Sequence, residues 1–501
     1  MDALPLPSST RRLVSRIAAT AHPDDLFPPP DQISTAFVVT LVDSLHASTY
    51  ATFLSISYAN ELARKFDVDI AVDFTIRGAH WTFNSSRGLP HVSAHHVIDC
   101  SFDGRAQHKL SRIGTMALMG EISPELGLAC IAQDDAQGTN SRWELMYRDF
   151  PGRGLVVPFM ACGTSAVCFG GTYIDAAFSS LAGLVAGFVH QICGDEHAPR
   201  ALVVTHDFIV ATTVSFYSVM AITLQPEHTC FQAQTLGALF WFFYGTAYIT
   251  SLFEMTSGQL KIGVMRCLLA TMHSFVLALG VAFGAVIATL AHGRSTRSLI
   301  IKECIDAESQ IDDWLWGAFF FLVLATSFLM QLRLDSNDFG ACILVMAVAR
   351  GAVYLSEILV GPSNVFLLNM IPSLFASIAT FLILQFRNNR STFGTTASSP
   401  ARTAVAGRGS KYDYRDAWFC LFPSLYLLVP GSGLVKASLF SIAHMGGFEH
   451  GNIFMIFQAI LSAGFGQVVG VRAGNILFSK FGPTRYRPAP VREKLMESNR
   501  V

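Results

Sequence analysis

From residue 155 to residue 476 the chain is a succession of apolar runs. Each is close to the roughly 20 residues that a helix needs to cross about 30 Å of hydrocarbon. No water satisfies a free backbone N–H or C=O inside a bilayer. Such a chain is therefore confined to helices, with irregular backbone only where protein covers it or a cavity is lined. Ten spans are placed at 155–174, 176–194, 202–223, 233–253, 264–291, 314–333, 338–360, 363–386, 417–435 and 452–476. Composition agrees, with 51% of the 501 residues hydrophobic and 14% charged, against about 25% charged in a soluble domain. The fold class expected is an α-helical polytopic membrane protein, with the lipid bilayer as its first partner. The net charge of −1 gives no electrostatic case for a nucleic-acid partner.

Residues 1–34 are rich in Pro and Ser and lack an apolar h-region, which argues against a secretory signal and for a disordered tail. Residues 35–153 read as a small cytosolic α/β domain. "ISTAFVVTLVDSLHASTYATFLSISYANELARKF" has helical periodicity, while "VDIAVDFTIRGAHWTFN" and "HHVIDCSF" alternate as strands do. His91, His95, His96 and Cys100 fall in a polar loop with the wrong spacing for a closed zinc site, so neither metal nor other cofactor is expected. With the N-terminal domain in the cytosol, sixteen Lys and Arg flank the spans on that side and four on the other. By the positive-inside rule both termini are cytosolic. Cys230 and Cys304 then lie in non-cytoplasmic loops, where a disulfide is one reading and two free thiols the preferred one. The domains are a first membrane module at 154–292, a loop at 293–313, and a second module at 314–478. The second module contains a disordered Ser/Thr/Ala/Gly-rich linker at 387–415, and a cytosolic tail follows at 479–501.

The ten spans divide into five and five, and two five-span repeats must take opposite topologies. "YGTAYITSLFE" in the fourth span and "SLYLLVPGSGLVKASLF" in the ninth place helix breaks at Gly245 and at Pro430 and Gly431. Paired interruptions in corresponding positions of two halves point to a transporter's binding site and to inverted repeats. Polar side chains inside or beside spans are the candidates for chemistry. Glu254 stands where an apolar run gives way to "MTSGQ" and can carry a proton or bind a substrate ammonium. The other reading of Glu254 is that it only neutralises Arg266. Ser257 and Arg266 share this corner, Lys261 reads as a membrane anchor, and Asp175 and Asp207 are the reserve acids. His206 is a further polar residue within a span. Arg350 and Glu357, seven apart on one helix face, are expected to turn inward as a structural intramembrane pair.

Three stretches together resemble the threonine/serine exporter family, including its fungal branch of pheromone-regulated membrane proteins. They are "CFGGTYIDAAFSSLAGLVAGF", "GTAYITSLFEMTSGQLKIGVMR" and "LLVPGSGLVKASLF". In the second, Gly245, Glu254, Ser257, Gly263 and Arg266 follow the family's recurring pattern. "KLSRIGTMALMGEISPELGLACIAQ" is similar to the end of the family's cytosolic domain, which extends the resemblance over residues 35–478. The resemblance implies a cytosolic domain, two five-helix modules, and export of small hydroxylated amino acids driven by protons. There are departures. Where the family carries Arg and Glu in a Gly-x-Pro-x-x-Arg-x-Glu segment, "HASTYATF" has Ala51 and Phe53, and Tyr244 replaces the Pro before Gly245.

Two functions compete. One is a secondary transporter for threonine, serine or a similar small molecule, coupled to protons. The other is a non-transporting scaffold that binds partners through the N-terminal domain and the linker. No GxSxG or HExxH motif supports an enzyme. Homo-oligomer formation is left open.

Overall fold

The computed structural model describes residues 29–75, 78–83, 92–98, 103–136, 152–194, 200–225, 229–256, 258–292, 314–360, 364–391 and 418–428, with isolated positions between 435 and 473. The N-terminal unit begins with α1 (Pro29–Ala47) and α2 (Thr52–Phe66). Its sheet is β1 (Ile70–Thr75), β2 (Gly78–Phe83) and β3 (Val92–Val97), antiparallel in the order β1-β2-β3. Then follow α3 (Gly104–Met119) and α4 (Pro124–Ala136). The expected long helical stretch over 33–66 is two helices, because Thr49 takes a positive φ of 61° and turns the chain. β3 starts three residues before the expected strand and carries His95 and His96. His96 Nδ1 lies 2.6 Å from Asp43, whose other oxygen accepts from the buried Trp81 at 2.9 Å. These bonds fasten the sheet to α1. Tyr58 of α2 reaches Ser111 and Thr115 of α3 at 2.9 Å, which closes the helical side.

The apolar part opens with α5 (Gly152–Cys168), α6 (Tyr173–Gly194) and α7 (Arg200–Leu224). Next come the short α8 (Phe231–Ala238), a 3-10 turn at Phe240–Phe242, α9 (Gly245–Thr256) and the 33-residue α10 (Leu260–His292). Beyond residue 313 lie α11 (Trp314–Gln331), α12 (Phe339–Val360), α13 (Val365–Ser391) and α14 (Trp418–Leu428). Among the described residues five stretches are long and apolar enough to cross a membrane: Tyr173–Cys193, Thr205–Leu224, Leu260–Ala291, Ser336–Val360 and Phe366–Ile383. Val156–Cys168 and Leu315–Gln331 are shorter apolar helices. The last span is described only at isolated positions, and the break at Pro430 and Gly431 lies outside the described residues.

Small residues set the closest helix contacts. A Cβ on Gly280 would stand 2.7 Å from the Phe208 carbonyl oxygen, and one on Gly284 would strike that of Thr212. These two glycines form a GxxxG step that lets α10 lie backbone to backbone on α7, as membrane helices do where apolar transfer alone gives no driving force. Ser215 of α7 adds a 2.6 Å bond to the Val281 carbonyl.

Two expectations are corrected. Cys230, ahead of α8, is disulfide-bonded rather than free, and its partner lies outside the described residues, as Cys100 and Cys304 both do. Arg350 and Glu357 do not pair. Seven residues of helix separate them by about 10 Å along the axis. Both are exposed, because the buried face of α12 is formed by Cys342, Val345, Met346, Ala349, Ala352 and Ser356. Arg350 instead donates to the Val167 carbonyl at 2.9 Å.

Candidate functional site

The fourth apolar run, 233–253, is two half-helices with an irregular segment between them. α8 ends at Ala238, Leu239 leaves helical geometry, and Phe243 is extended (φ −77°, ψ 131°). The break comes from the aromatic run "FWFFY". Phe240, Phe242 and Phe243 are all buried, and Phe240 and Trp241 meet Phe328 of α11 edge-on at 6.3 and 6.2 Å. Packing these rings on several sides pulls the backbone out of a single helix. Gly245 opens α9 on the far side; the left-handed glycines among those described are Gly120, Gly170 and Gly258.

Tyr244, the last residue of the break, points its hydroxyl at Asp207 of α7. The bond is 2.9 Å, to Oδ2. His273 of α10 approaches the same oxygen through Nδ1 at 2.7 Å and stacks on Tyr244 with ring centroids 4.5 Å apart. His206 places Nδ1 3.0 Å from Oδ1, and His190 of α6 places Nδ1 2.5 Å from His206 Nε2. Asp207 is buried, His206 and His273 are partly covered, and His190 is exposed. Four chain segments thus converge on one carboxylate beside an interrupted helix. Of these residues the sequence singles out Asp207, and His206 only as a polar residue in a span. His190 and His273 carry no local signal, since each stands alone in an apolar run, and Tyr244 is marked only as the residue in place of a Pro before Gly245.

The remaining candidates sit elsewhere. Asp175 is fully buried in the first turn of α6. It forms a reciprocal capping box with Thr172: Thr172 N–H donates to Asp175 Oδ2 at 3.0 Å, and Asp175 N–H to the Thr172 hydroxyl at 3.1 Å. Its other oxygen accepts from Cys230 N–H at 2.8 Å and from the Gln234 amide at 2.9 Å. Asp175 therefore joins the N-termini of α6 and α8, where a negative charge is favoured by both helix dipoles.

Glu254 and Arg266 meet at the corner between α9 and α10. Gly258 makes this corner with φ +90°, and Gln259 N–H caps the Glu254 carbonyl at 2.8 Å. Arg266 donates through Nε to one carboxylate oxygen and sets Nη2 beside the other, both at 3.0 Å. Ser257 lies outside the described residues. The N-terminal unit covers this corner. Phe53, in place of the family's acid, stacks on Phe253 at 5.8 Å, and Ala51, in place of its base, is fully buried. No group of His, Cys, Asp and Glu suited to a metal occurs among the described residues.

Membrane-length helices around an interrupted helix, with a buried carboxylate beside the interruption, define a helical membrane protein of the transporter class. Residues 153–288, the stretch from α5 through α10, match the family described as "Putative threonine/serine exporter". The resemblance read from the sequence is borne out over that stretch, and a membrane transporter of the threonine/serine exporter type is what the helices and the match together support. No curated protein and no solved structure matches the chain.

Proposed function

We propose that the protein is a secondary transporter that exports threonine, serine or a similarly small hydroxylated amino acid in exchange for protons, and that its central site lies at the break between α8 and α9. The observation that carries this reading is the buried Asp207 at the break, held by Tyr244, His206 and His273. A lone buried carboxylate offers a partner to a substrate ammonium or a proton, and the two exclude each other. That competition is the minimal requirement of antiport. The N-terminus of α9 at the same break presents the positive end of a helix dipole to a substrate carboxylate. Glu254 is the weaker candidate for coupling, because Arg266 already neutralises it along both oxygens.

The frame for this site is ten spans in two inverted five-helix repeats, with both termini and the N-terminal unit cytosolic. The disulfide at Cys230 supports that orientation, since disulfides persist in oxidising compartments and α8 then starts on the non-cytoplasmic side. The deciding experiment is efflux of labelled threonine and serine from vesicles holding the purified full chain, with an imposed pH gradient. Efflux that follows the gradient and vanishes in Asp207→Asn is expected. A wild-type protein that moves neither amino acid, in a preparation that is folded, would leave the scaffold reading in its place.

A further inference from the structure

The Asp207 cluster extends further than a substrate site needs. An ionised carboxylate only accepts hydrogen bonds, so Nδ1 of both His206 and His273 must carry hydrogen. A neutral His206 protonated on Nδ1 has an acceptor at Nε2, and the group 2.5 Å from that acceptor is His190 Nδ1, which must then carry its own hydrogen. A neutral His190 with hydrogen on Nδ1 has its acceptor at Nε2, on an exposed side chain. One ionised acid thus sets the direction of every bond back to the surface of α6.

The depth of these groups fits a path. His190 lies four residues before the end of α6, about 6 Å from it, and Asp207 seven residues into α7, about 10 Å from its start. The connection runs from the end shared by α6 and α7 inward to the break. The elements packed around Asp207 supply the groups already named: His190 from α6, His273 from α10 and Tyr244 from the break. α8 contributes none, since "FQAQTLGA" holds no titratable side chain.

We propose that His190, His206 and Asp207 form a proton path from the α6–α7 end of the membrane part to the break, with His190 as the entry group. This rests on the transport reading above and names the route of its coupling ion. A proton added to His190 Nε2 releases the Nδ1 proton to His206 Nε2. His206 in turn releases its Nδ1 proton to Asp207 Oδ1. Both rings end neutral and the carboxylate ends as the acid, so one proton enters and one arrives. The neutral acid no longer holds a substrate ammonium, and return of the two rings to their first tautomers resets the path.

The test uses the full chain in vesicles with a trapped pH dye, threonine as the transported probe, and His190→Ala, which alters an exposed side chain. Threonine-driven proton movement should fall at least about tenfold, a floor set below the roughly 10²–10⁴-fold that a positioned acid–base group contributes. Added imidazole should restore most of it. In parallel, the carboxyl infrared band of Asp207 is followed after a pH jump without any substrate, with Asp207→Asn to assign the band. Protonation should slow at least tenfold in His190→Ala and again recover with imidazole, and His206→Gln should slow it without recovery. Wild-type rates and pH profiles in His190→Ala would overturn the path, as would a slowed rate that His190→Gln restores but imidazole does not. If the wild-type chain moves no threonine, the transport reading fails while the infrared measurement still decides the path.

Discussion

The hydroxyl of Thr52 and the guanidinium of Arg266 meet at 3.4 Å across 214 residues of sequence. Arg266 is the same group that holds Glu254, so the first turn of α2 rests on the ion pair at the α9–α10 corner. A second contact lies on the other half of the apolar part. Gly104 and Arg105, at the start of α3, donate to the Leu332 and Arg333 carbonyls after α11 at 3.0 and 3.1 Å, and His108 reaches Asp338 at 2.9 Å. Ser48 links the two contacts, because its carbonyl accepts from Gln107 at 2.5 Å only four residues before Thr52. The N-terminal unit is thus seated on elements from both sides of residues 293–313 through one short turn.

From this seating follows a prediction for Glu254→Gln. The substitution leaves Arg266, whose side chain is only 18% exposed, without its counter-charge. Removing one partner of a buried pair costs roughly 3–5 kcal/mol, because the remaining charge stays desolvated. The expected result is a clear fall in thermal stability in detergent, with threonine efflux per folded molecule retained. The double exchange Glu254→Arg with Arg266→Glu should recover part of the stability. Full stability with abolished efflux would instead make Glu254 the coupling acid.

Asp175→Ala should destabilise the protein by about 2 kcal/mol or more. It strips an acceptor from Thr172 N–H, Cys230 N–H and the Gln234 amide in a place that water does not reach. Asp175→Asn keeps one acceptor oxygen and should fall between the two. Melting temperatures of the three proteins order them, and equal values for Ala and wild type would exclude the joint role at the two helix starts.

Much of this architecture is legible in the sequence because hydrocarbon leaves few choices. The runs that become α6, α7, α10, α12 and α13 announce themselves by length and apolarity, and the Gly245 region is marked as a discontinuity. The strands at 70–83 show in their alternation. The Asp207 cluster is not legible, for a physical reason. His190, Asp207, Tyr244 and His273 come from four segments, and a single His in an apolar run has the same local pattern whether it is core or site. Only the helix packing, set in part by Gly280 and Gly284, brings the four together. Asp175 fails differently: an acid at a span start fits coupling and capping equally well, and its partners Cys230 and Gln234 lie more than fifty residues away.

Gly284→Val should separate α7 from α10. Even one methyl group at this position meets the Thr212 carbonyl and the Ser215 Cβ, and both belong to a helix that cannot yield locally. Overpacking of this kind costs about 1–3 kcal/mol. The shift should also draw His273 away from Asp207, so proton-coupled efflux is expected to fall together with stability. Gly317→Val is the control, since nothing lies within 4 Å of a Cβ there. Equal melting temperatures for the two variants would remove the close-packing role of the GxxxG step.

The N-terminal unit should lose stability in acid through His46. This residue lies in the last turn of α1, is 2% exposed and packs on Phe74 with ring centroids 4.6 Å apart. Burial, with a smaller contribution from the charge of Arg266, pushes its pKa down from 6.5 to about 4, against a small opposing effect of the Thr75 backbone. Between those two values the unfolded chain binds a proton that the folded one refuses, so stability falls as the pH drops from about 6.5 to about 4 and is flat above that window. The shift corresponds to roughly 3 kcal/mol across the window. His46→Phe keeps a ring against Phe74 and removes the titration, so its stability should vary less over the same range. Thermal unfolding in detergent between pH 4 and pH 8, followed through the buried Trp81 next to this core, measures both proteins. Parallel curves for wild type and His46→Phe would show that His46 is not the group responsible.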